Sequence, residues 1–470
     1  MSARITRRGL LAMVGSAAVG TALASCAQQP QVIEKVITQV VEGTPQVVRE
    51  TVVVGPTQAP VTPGVVKWSR YSAFTGSERF YKLLFSIFEE EHPGAKVETE
   101  YAGWNEYWPK LQTQMAAGTT PDVGIGDYGR LVSYAKAGGL LALDDLIARD
   151  AYPLDPFPPA CLAQYRWRDG DFDSGGEGGK QYGLPYDAQP YMIAYNKTMF
   201  DQAGVAVPPE DWTWDDFVDI AKKLTKPDED KWGCYLPVIG SMLQGEFVYS
   251  ADGEVISKDF KKSGLDMDAT ISAFKWAWDL VYTHQVAPHP VPNEAANPFA
   301  SGRVAMYHDG IWWVNDFVNI TEFEWDVAYY PKNPVTGKRT MTLQSDGWWM
   351  FKTAAGNDLA WEFLKFLMSE RIQGRLQLEM EMGVPPVRDP IAEKWFAKTP
   401  PANRPRVREQ LAADARKVAN TYFDSEPTTA AYMPLLDKAF FDGEPVEAQV
   451  KEAAAVMSAE LEKAWAKFSQ

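Results

Sequence analysis

From Val65 onward, short β-rich stretches alternate with stretches of helical period, which restricts the chain to folds in which helices cover a sheet. Val65-Val66-Lys67-Trp68 is short and β-rich. Glu78 to Glu91 carries Phe80, Leu84, Ile87 and Phe88 at three- and four-residue spacing, predicting a helix with one buried face that His92-Pro93-Gly94 ends. Lys96 to Tyr101 alternates as a strand, Trp104 to Ala117 reads as a second helix closed by Gly118, and Asp122-Val123-Gly124-Ile125 is another short strand. The fold class is α/β, and 470 residues are too many for one small core, so two lobes are expected. Farther along, Thr213 and Asp216 approximate a capping box ahead of Phe217, Val218, Ala221 and Leu224. Ile271, Phe274, Trp278, Val281 and Tyr282 repeat the helical stripe, as do Trp361, Leu364, Phe366 and Leu367 behind a cap at Asn357 or Asp358. Aromatics at such helical spacing belong to cores and are excluded from the site.

The chain in front of this unit reads as an export tag. Arg4 and the pair Arg7-Arg8 precede an apolar run from Gly9 to Ala24 and the small-residue stretch Leu23-Ala24-Ser25-Cys26. The run is too short for a comfortable bilayer span, so residues 1–25 are expected to be removed. The segment from Ile5 to Leu11 resembles a twin-arginine export signal, and Leu-Ala-Ser-Cys resembles the lipobox of bacterial lipoproteins. That resemblance implies a lipid on Cys26 and a protein tethered to the outer face of the cell membrane. Residues 26–64, rich in Val, Thr, Gln and Pro, contain imperfect copies in VVEGTPQVV and VVVGPTQAPV. With no second hydrophobic face to pair with, this stretch is expected to be an extended, flexible tether.

Charge narrows the ligand class. The formal net charge of −16 falls to −19 once the three leader arginines are removed. So acidic a chain lacks the basic footprint that neutralises phosphate, which argues against nucleic acid and anionic lipid and favours neutral or cationic solutes. Cys161 and Cys234 form no CxxC motif, and one disulfide or two buried thiols are both open. The four histidines have no HExxH spacing, and no GxSxG elbow follows a strand. No cofactor or metal is expected. The loop from Asp169 to Gly179 is rich in Asp and Gly but has Tyr182 where an EF-hand needs its last Glu, so it reads as a mobile surface loop. Gly124 to Gly129 satisfies GxGxxG after too short a strand for a dinucleotide site and reads instead as a turn presenting Asp127 at the sheet's carboxyl edge.

The order of several segments carries a family resemblance. Phe88 with His92-Pro93-Gly94, Trp104 and Tyr107, Leu111 to Gln114, Ala116 to Gly118, Pro121 to Val123 and Gly138 to Leu143 follow one another. Gly183 to Tyr186, Ala194 to Lys197, Trp212 to Phe217, Phe299 to Met306 and Gly310-Ile311-Trp312 come after. This succession is similar to the extracellular solute-binding proteins of ABC importers, family 1, which includes maltose- and other sugar-binding lipoproteins. The resemblance covers about Val65 to Gln470. It implies a two-lobed periplasmic-binding-protein fold (type II), each lobe a mixed sheet flanked by helices and closing by hinge motion. It places the N-terminal lobe at 65–187 plus 340–383 and the C-terminal lobe at 188–339 plus 384–470. Crossings are implied near Pro185 to Gln189, Gly337 to Leu343 and Gly383 to Val387. A monomeric, non-enzymatic receptor that hands a sugar to membrane permease subunits is the function implied; a polyamine or another small polar solute is the alternative. A secreted glycoside hydrolase stays open as another class, because carboxylate separation is invisible in sequence.

A sugar ring offers an apolar face and a belt of hydroxyls, so its cleft needs flat aromatics beside carboxylates. Aromatics in Gly-marked turns meet that need: Trp312 and Trp313 follow Asp309-Gly310, and Trp348 follows Asp346-Gly347. Tyr71 with Phe74 after the first strand, Trp104, Asp127, and Tyr186-Asp187 at the hinge complete the candidate ligand-binding set. Of the anchor, Cys26→Ser is expected to release the exported protein from the membrane fraction. A variant that loses its leader yet stays on the membrane contradicts lipidation at Cys26.

Overall fold

The computed structural model describes residues 31–41, 44–54, 64–71, 77–236, 245–291, 297–379, 387–417 and 426–469. The leader, Cys26, Phe74 and the stretch 383–386 lie outside the described residues. The chain divides into two units, Met1–Val61 and Thr62–Gln470.

In the first unit the expected unpaired tether is corrected. Gln31–Val41 and Thr44–Val54 pair as an antiparallel hairpin, with Ile33 opposite Val52, Lys35 opposite Glu50 and Ile37 opposite Val48. Two β-branched runs separated by two residues have hairpin spacing, so each run is the other's partner.

The second unit holds two larger sheets. One has five strands in the order Ala95–Ala102, Gly64–Tyr71, Val123–Asp127, Asp346–Met350, Gly183–Pro185. The first three are parallel, and Asp346–Met350 enters antiparallel between Val123–Asp127 and Gly183–Pro185. Helix Ser77–Glu91 buries Tyr81, Leu84, Phe85 and Phe88, a face rotated by one residue from the sequence stripe. Phe363 and Phe366 of helix Asp358–Leu367 meet Phe88 at ring separations of 5.0 and 5.2 Å. The other sheet runs Trp232–Tyr235, Val304–Gly310, Tyr191–Asn196, Trp325–Ala328, with only its first pair parallel. Helix Trp214–Leu224 starts on the expected capping box, Thr213 N donating to Asp216 Oδ2 at 2.8 Å and Asp216 N to Thr213 Oγ1 at 3.3 Å. These are two α/β lobes with mixed sheets.

The GxGxxG run is structural. Gly124 and Gly126 lie inside strand Val123–Asp127, and a Cβ on Gly126 would sit 1.9 Å from the Trp349 ring. Gly126 is there because an indole crosses its Cα.

Two crossings run side by side. Tyr186 N donates to Asp346 O at 2.7 Å, and Gln189 N to Gln344 O at 2.7 Å. The third crossing falls later than Gly383 to Val387. Arg388 Nε still donates to Met368 O at 3.0 Å, and helix Asp389–Phe396 packs on Glu370–Gly374 of the first lobe. By Asn403, whose N donates to Asp326 Oδ1 at 2.8 Å, the chain lies on the second sheet. The passage therefore includes Pro400-Pro401, which lack the N–H groups that a helix or ladder would need.

The loop from Asp169 to Gly179 is also corrected. Phe172 is 4% exposed and stacks on Trp465 at 4.2 Å and 8°, with Phe468 edge-on at 5.2 Å. Asp171 is engaged by Arg168 at 2.8 Å, and no group of His, Cys, Asp and Glu able to hold a metal occurs among the described residues. The loop's acidic residues surround a buried aromatic plug that fastens it to the last helix, Val446–Phe468. Cys161 and Cys234 are free and buried, one in each lobe, and burial raises both thiols, Cys161 to about 12. Phe172→Ala is expected to cost about 3 kcal/mol in denaturant unfolding. A loss below about 0.5 kcal/mol, the scale of an ordinary surface change, contradicts the plug.

Candidate ligand cleft

The cleft forms where strand ends from both sheets meet the crossings. Tyr71 ends Gly64–Tyr71, Asp127 ends Val123–Asp127, and Asp346, paired with Asp127, begins the antiparallel strand beside it. Carboxyl ends of parallel strands are where open α/β sheets bind ligands, because the backbone there diverges. In the second sheet Gly310 pairs with Tyr191, the first residue after the crossing. The Tyr191 phenol is held protonated by burial, then by Glu246, Asp309 and Asp127, so the Asp127 carboxylate of one lobe is felt by a tyrosine of the other.

On the first lobe, Tyr71, Trp104 and Asp127 lie near one another. The Tyr71 and Trp104 rings meet edge-on at 4.7 Å, and Trp104, at the start of helix Trp104–Ala117, is 43% exposed. Asp127 Oδ1 accepts from Gly129 N at 2.9 Å and from Arg130 Nη1 at 3.1 Å. The Arg130 guanidinium lies 4.2 Å from the Trp108 ring and 5.5 Å from that of Trp104. Sequence reasoning missed Arg130, although an Arg three residues after Asp127 in the same turn was the available signal.

On the second lobe, Trp312 meets Tyr191 edge-on at 5.3 Å. Gly310 makes room for it, since a Cβ there would lie 2.0 Å from the Trp312 ring. Trp313 stacks on Phe317 at 6.0 Å and 15°, and its Nε1 donates to Asp309 Oδ2 at 2.8 Å. Tyr191, which opens a strand directly after Gln189-Pro190, is the second residue that sequence reasoning missed.

Four candidates are corrected. Trp348 is fully buried, 5.6 Å from Trp68 and 5.5 Å from Tyr186. Its strand is interior to a sheet covered on both faces, so alternate residues Trp348 and Trp349 both enter core and neither reaches the cleft. Tyr186 is fully buried too, packed between Trp348 and the Arg70 guanidinium, 6.0 Å away. Asp187 and Asp346 are braces of the crossings. Asp187 Oδ1 accepts from Asp346 N at 2.8 Å, its Oδ2 accepts from Gln189 Nε2 at 3.0 Å, and Asp346 Oδ2 accepts from Tyr71 Oη.

Burial governs the charges. It pushes Asp346 up to about 7, reinforced by the neighbouring Asp127 charge, and raises Asp187 well above the usual range with help from Asp346. Arg70, 3% exposed, sits 4.8 Å from the Tyr81 ring and 5.6 Å from that of Tyr71. Burial opposes its charge, but the tyrosines and Asp346 more than restore it. Sequence reasoning missed it, although it stands directly before Tyr71 in strand Gly64–Tyr71.

Two α/β lobes, adjacent crossings and a cleft of aromatics and carboxylates at the strand ends define a two-lobed solute-binding fold. The chain belongs to the bacterial extracellular solute-binding proteins, whose family model matches residues 84–405. It is 26% identical over 311 residues to a putative binding protein of Brucella abortus, covering 64% of this chain and 71% of that one. A Listeria monocytogenes ABC substrate-binding protein in complex with cycloalternan aligns with a TM-score of 0.75 at 24% identity, covering 86% of this chain and 99% of the other. Maltose-bound MalE3 of T. maritima aligns at 0.68 and 21% identity, covering 85% and 100%. The family binds solutes, so the hydrolase reading is set aside.

Glu246, 1% exposed in helix Glu246–Ser250, accepts from Thr342 N at 3.3 Å and from Thr342 Oγ1, and burial pushes it from 4.5 up to about 7. A carboxyl raised on folding contributes stability that is fully present below about 4.5 and lost as pH rises through about 7. Across that window Glu246→Gln should gain about 3 kcal/mol relative to the native chain. Urea unfolding of both proteins from pH 4 to 8 checks it; a stability difference that does not change with pH contradicts it.

Proposed function

We propose that this chain is the substrate-binding component of an ABC importer that captures a sugar or oligosaccharide between its lobes and presents the closed form to a membrane permease. The observation that carries the reading is the pairing of the Trp312, Trp313 and Tyr191 corner on one lobe with Trp104, Asp127 and Arg130 on the other. Flat rings take the apolar face of a sugar, while Asp127 and Arg130 take its hydroxyls. The sugars in the two similar structures, cycloalternan and maltose, support the same class. Asp127 is paired with Arg130, and Asp187 and Asp346 are bonded within the crossings with raised carboxyls, so little anionic charge is left over for a polyamine.

The lobes in this proposal are 65–187 with 344–396 and 188–343 with 403–470, because strand Met341–Leu343 pairs with Ala415–Lys417. A ligand that touches both lobes only when they close shifts the equilibrium toward the closed form. The receptor acts as a monomer, exported and held at the outer face of the membrane by the lipid on Cys26.

A thermal-shift screen of maltose, longer oligosaccharides and spermidine tests the reading, since a solute at 100 times its dissociation constant adds about 2.7 kcal/mol. Stabilisation by sugars without turnover is expected. Stabilisation by spermidine alone, or hydrolysis, overturns the reading. Trp312→Ala is expected to weaken sugar binding by about 1–3 kcal/mol with unfolding little changed. Trp348→Ala should instead cost about 3–5 kcal/mol of stability, as a core indole does. Unchanged affinity in Trp312→Ala removes the stacking surface.

A further inference from the structure

Asp309 is the next-to-last residue of strand Val304–Gly310, ahead of Trp312 and Trp313, where sequence alone reads it as a ligand contact. Asp309 is half-buried, and its carboxylate is already engaged from inside the lobe. Oδ1 accepts from Gly310 N at 2.7 Å. Oδ2 accepts from Tyr307 Oη at 2.8 Å and from Trp313 Nε1 at 2.8 Å, which fills both lone pairs of that oxygen. Tyr307 Oη is itself fixed by Asn297 Nδ2 at 3.0 Å, and its ring stacks on Tyr235 at 5.9 Å and 8°. Asn297, Tyr307, Asp309 and Trp313 thus form one chain of bonds. Each Asp309 bond sets a neighbour: one orients the Gly310 peptide against which the Trp312 ring lies, and another stops the Trp313 indole from turning about its χ angles.

We propose that Asp309 is a positioning residue of the sugar cleft, acting through Trp313 and the Gly310 turn and making no bond to the sugar. The inference rests on the reading of Trp312 and Trp313 as sugar-facing surfaces. Its physical content is preorganisation: an indole already locked in the free protein loses no rotamer freedom when a sugar settles on it.

The test uses the full mature chain, with Asp309→Ala, Asp309→Asn, Trp313→Phe and the double variant Asp309→Ala with Trp313→Phe. In the free proteins, the Trp313 indole N–H, observed by 15N NMR, should be protected from exchange in the native chain and in Asp309→Asn, whose amide oxygen still accepts it. Asp309→Ala should lose that protection. Titration with maltose should show Asp309→Ala weakened about tenfold, the scale of one buried hydrogen bond, with Asp309→Asn close to the native value. In the Trp313→Phe background, Asp309→Ala should then add little. An unchanged indole in Asp309→Ala overturns the proposal, and so does an equal loss of affinity in both backgrounds, which marks direct contact with the sugar. If the native chain does not bind maltose, that failure falls on the cleft reading for this sugar, and the indole arm still decides whether Asp309 holds Trp313.

Discussion

The crossing ladder is the constraint on which the remaining geometry depends. Asp187 takes the Asp346 N–H, Tyr186 N–H reaches Asp346 O, Gln189 N–H reaches Gln344 O, and Ser345 Oγ donates to Asp187 O at 2.6 Å. These bonds hold two crossing segments together at the point where both lobes begin. Strand Asp346–Met350 is thereby inserted between Val123–Asp127 and Gly183–Pro185, which brings Asp346 next to Asp127. Tyr191 starts the second sheet immediately after the same ladder. Because both segments are bonded to each other, a hinge rotation is taken up by them as a pair.

Carboxyl groups placed so close together in low dielectric would repel. Burial is the main cause of their raised proton affinities, and the neighbouring carboxylate adds to it. Asp346 and Asp187 therefore work as hydrogen-bonding hinge parts. Asp127 is bonded to Arg130 at 3.1 Å.

Much of this was legible in the sequence. The α/β class followed from alternating periodicities, the capping box from Thr213 and Asp216, and the edge position of Asp127 from a short strand running into a Gly-rich turn. Tyr71 meets Trp104, Arg130 lies between Trp104 and Asp127, and Trp312 meets Tyr191. Trp348 looked like Trp312, an indole soon after an Asp-Gly pair. Its partner strands separate them: Gly347 and Trp348 are flanked on both sides, whereas the chain leaves the sheet after Gly310 and turns into Ile311–Trp313. Phe172 was hidden among glycines and acids, because its partner Trp465 is nearly three hundred residues away in sequence.

Local periodicity and turn chemistry determine which residues form strands, helices and turn tips, since those choices are made by neighbours within one turn of chain. They determined here that aromatics and carboxylates would stand at Gly-marked turns. Which of those turns open into a cleft and which are sealed into a core was decided only when non-consecutive strands met. Insertion of 346–350 into the first sheet buries one Asp-Gly turn, whereas after Gly310 the chain leaves the second sheet and keeps Trp312 and Trp313 half-buried. Burial, and with it the charge state of Asp187 and Asp346, depends on what packs across a distance in sequence that no local pattern records.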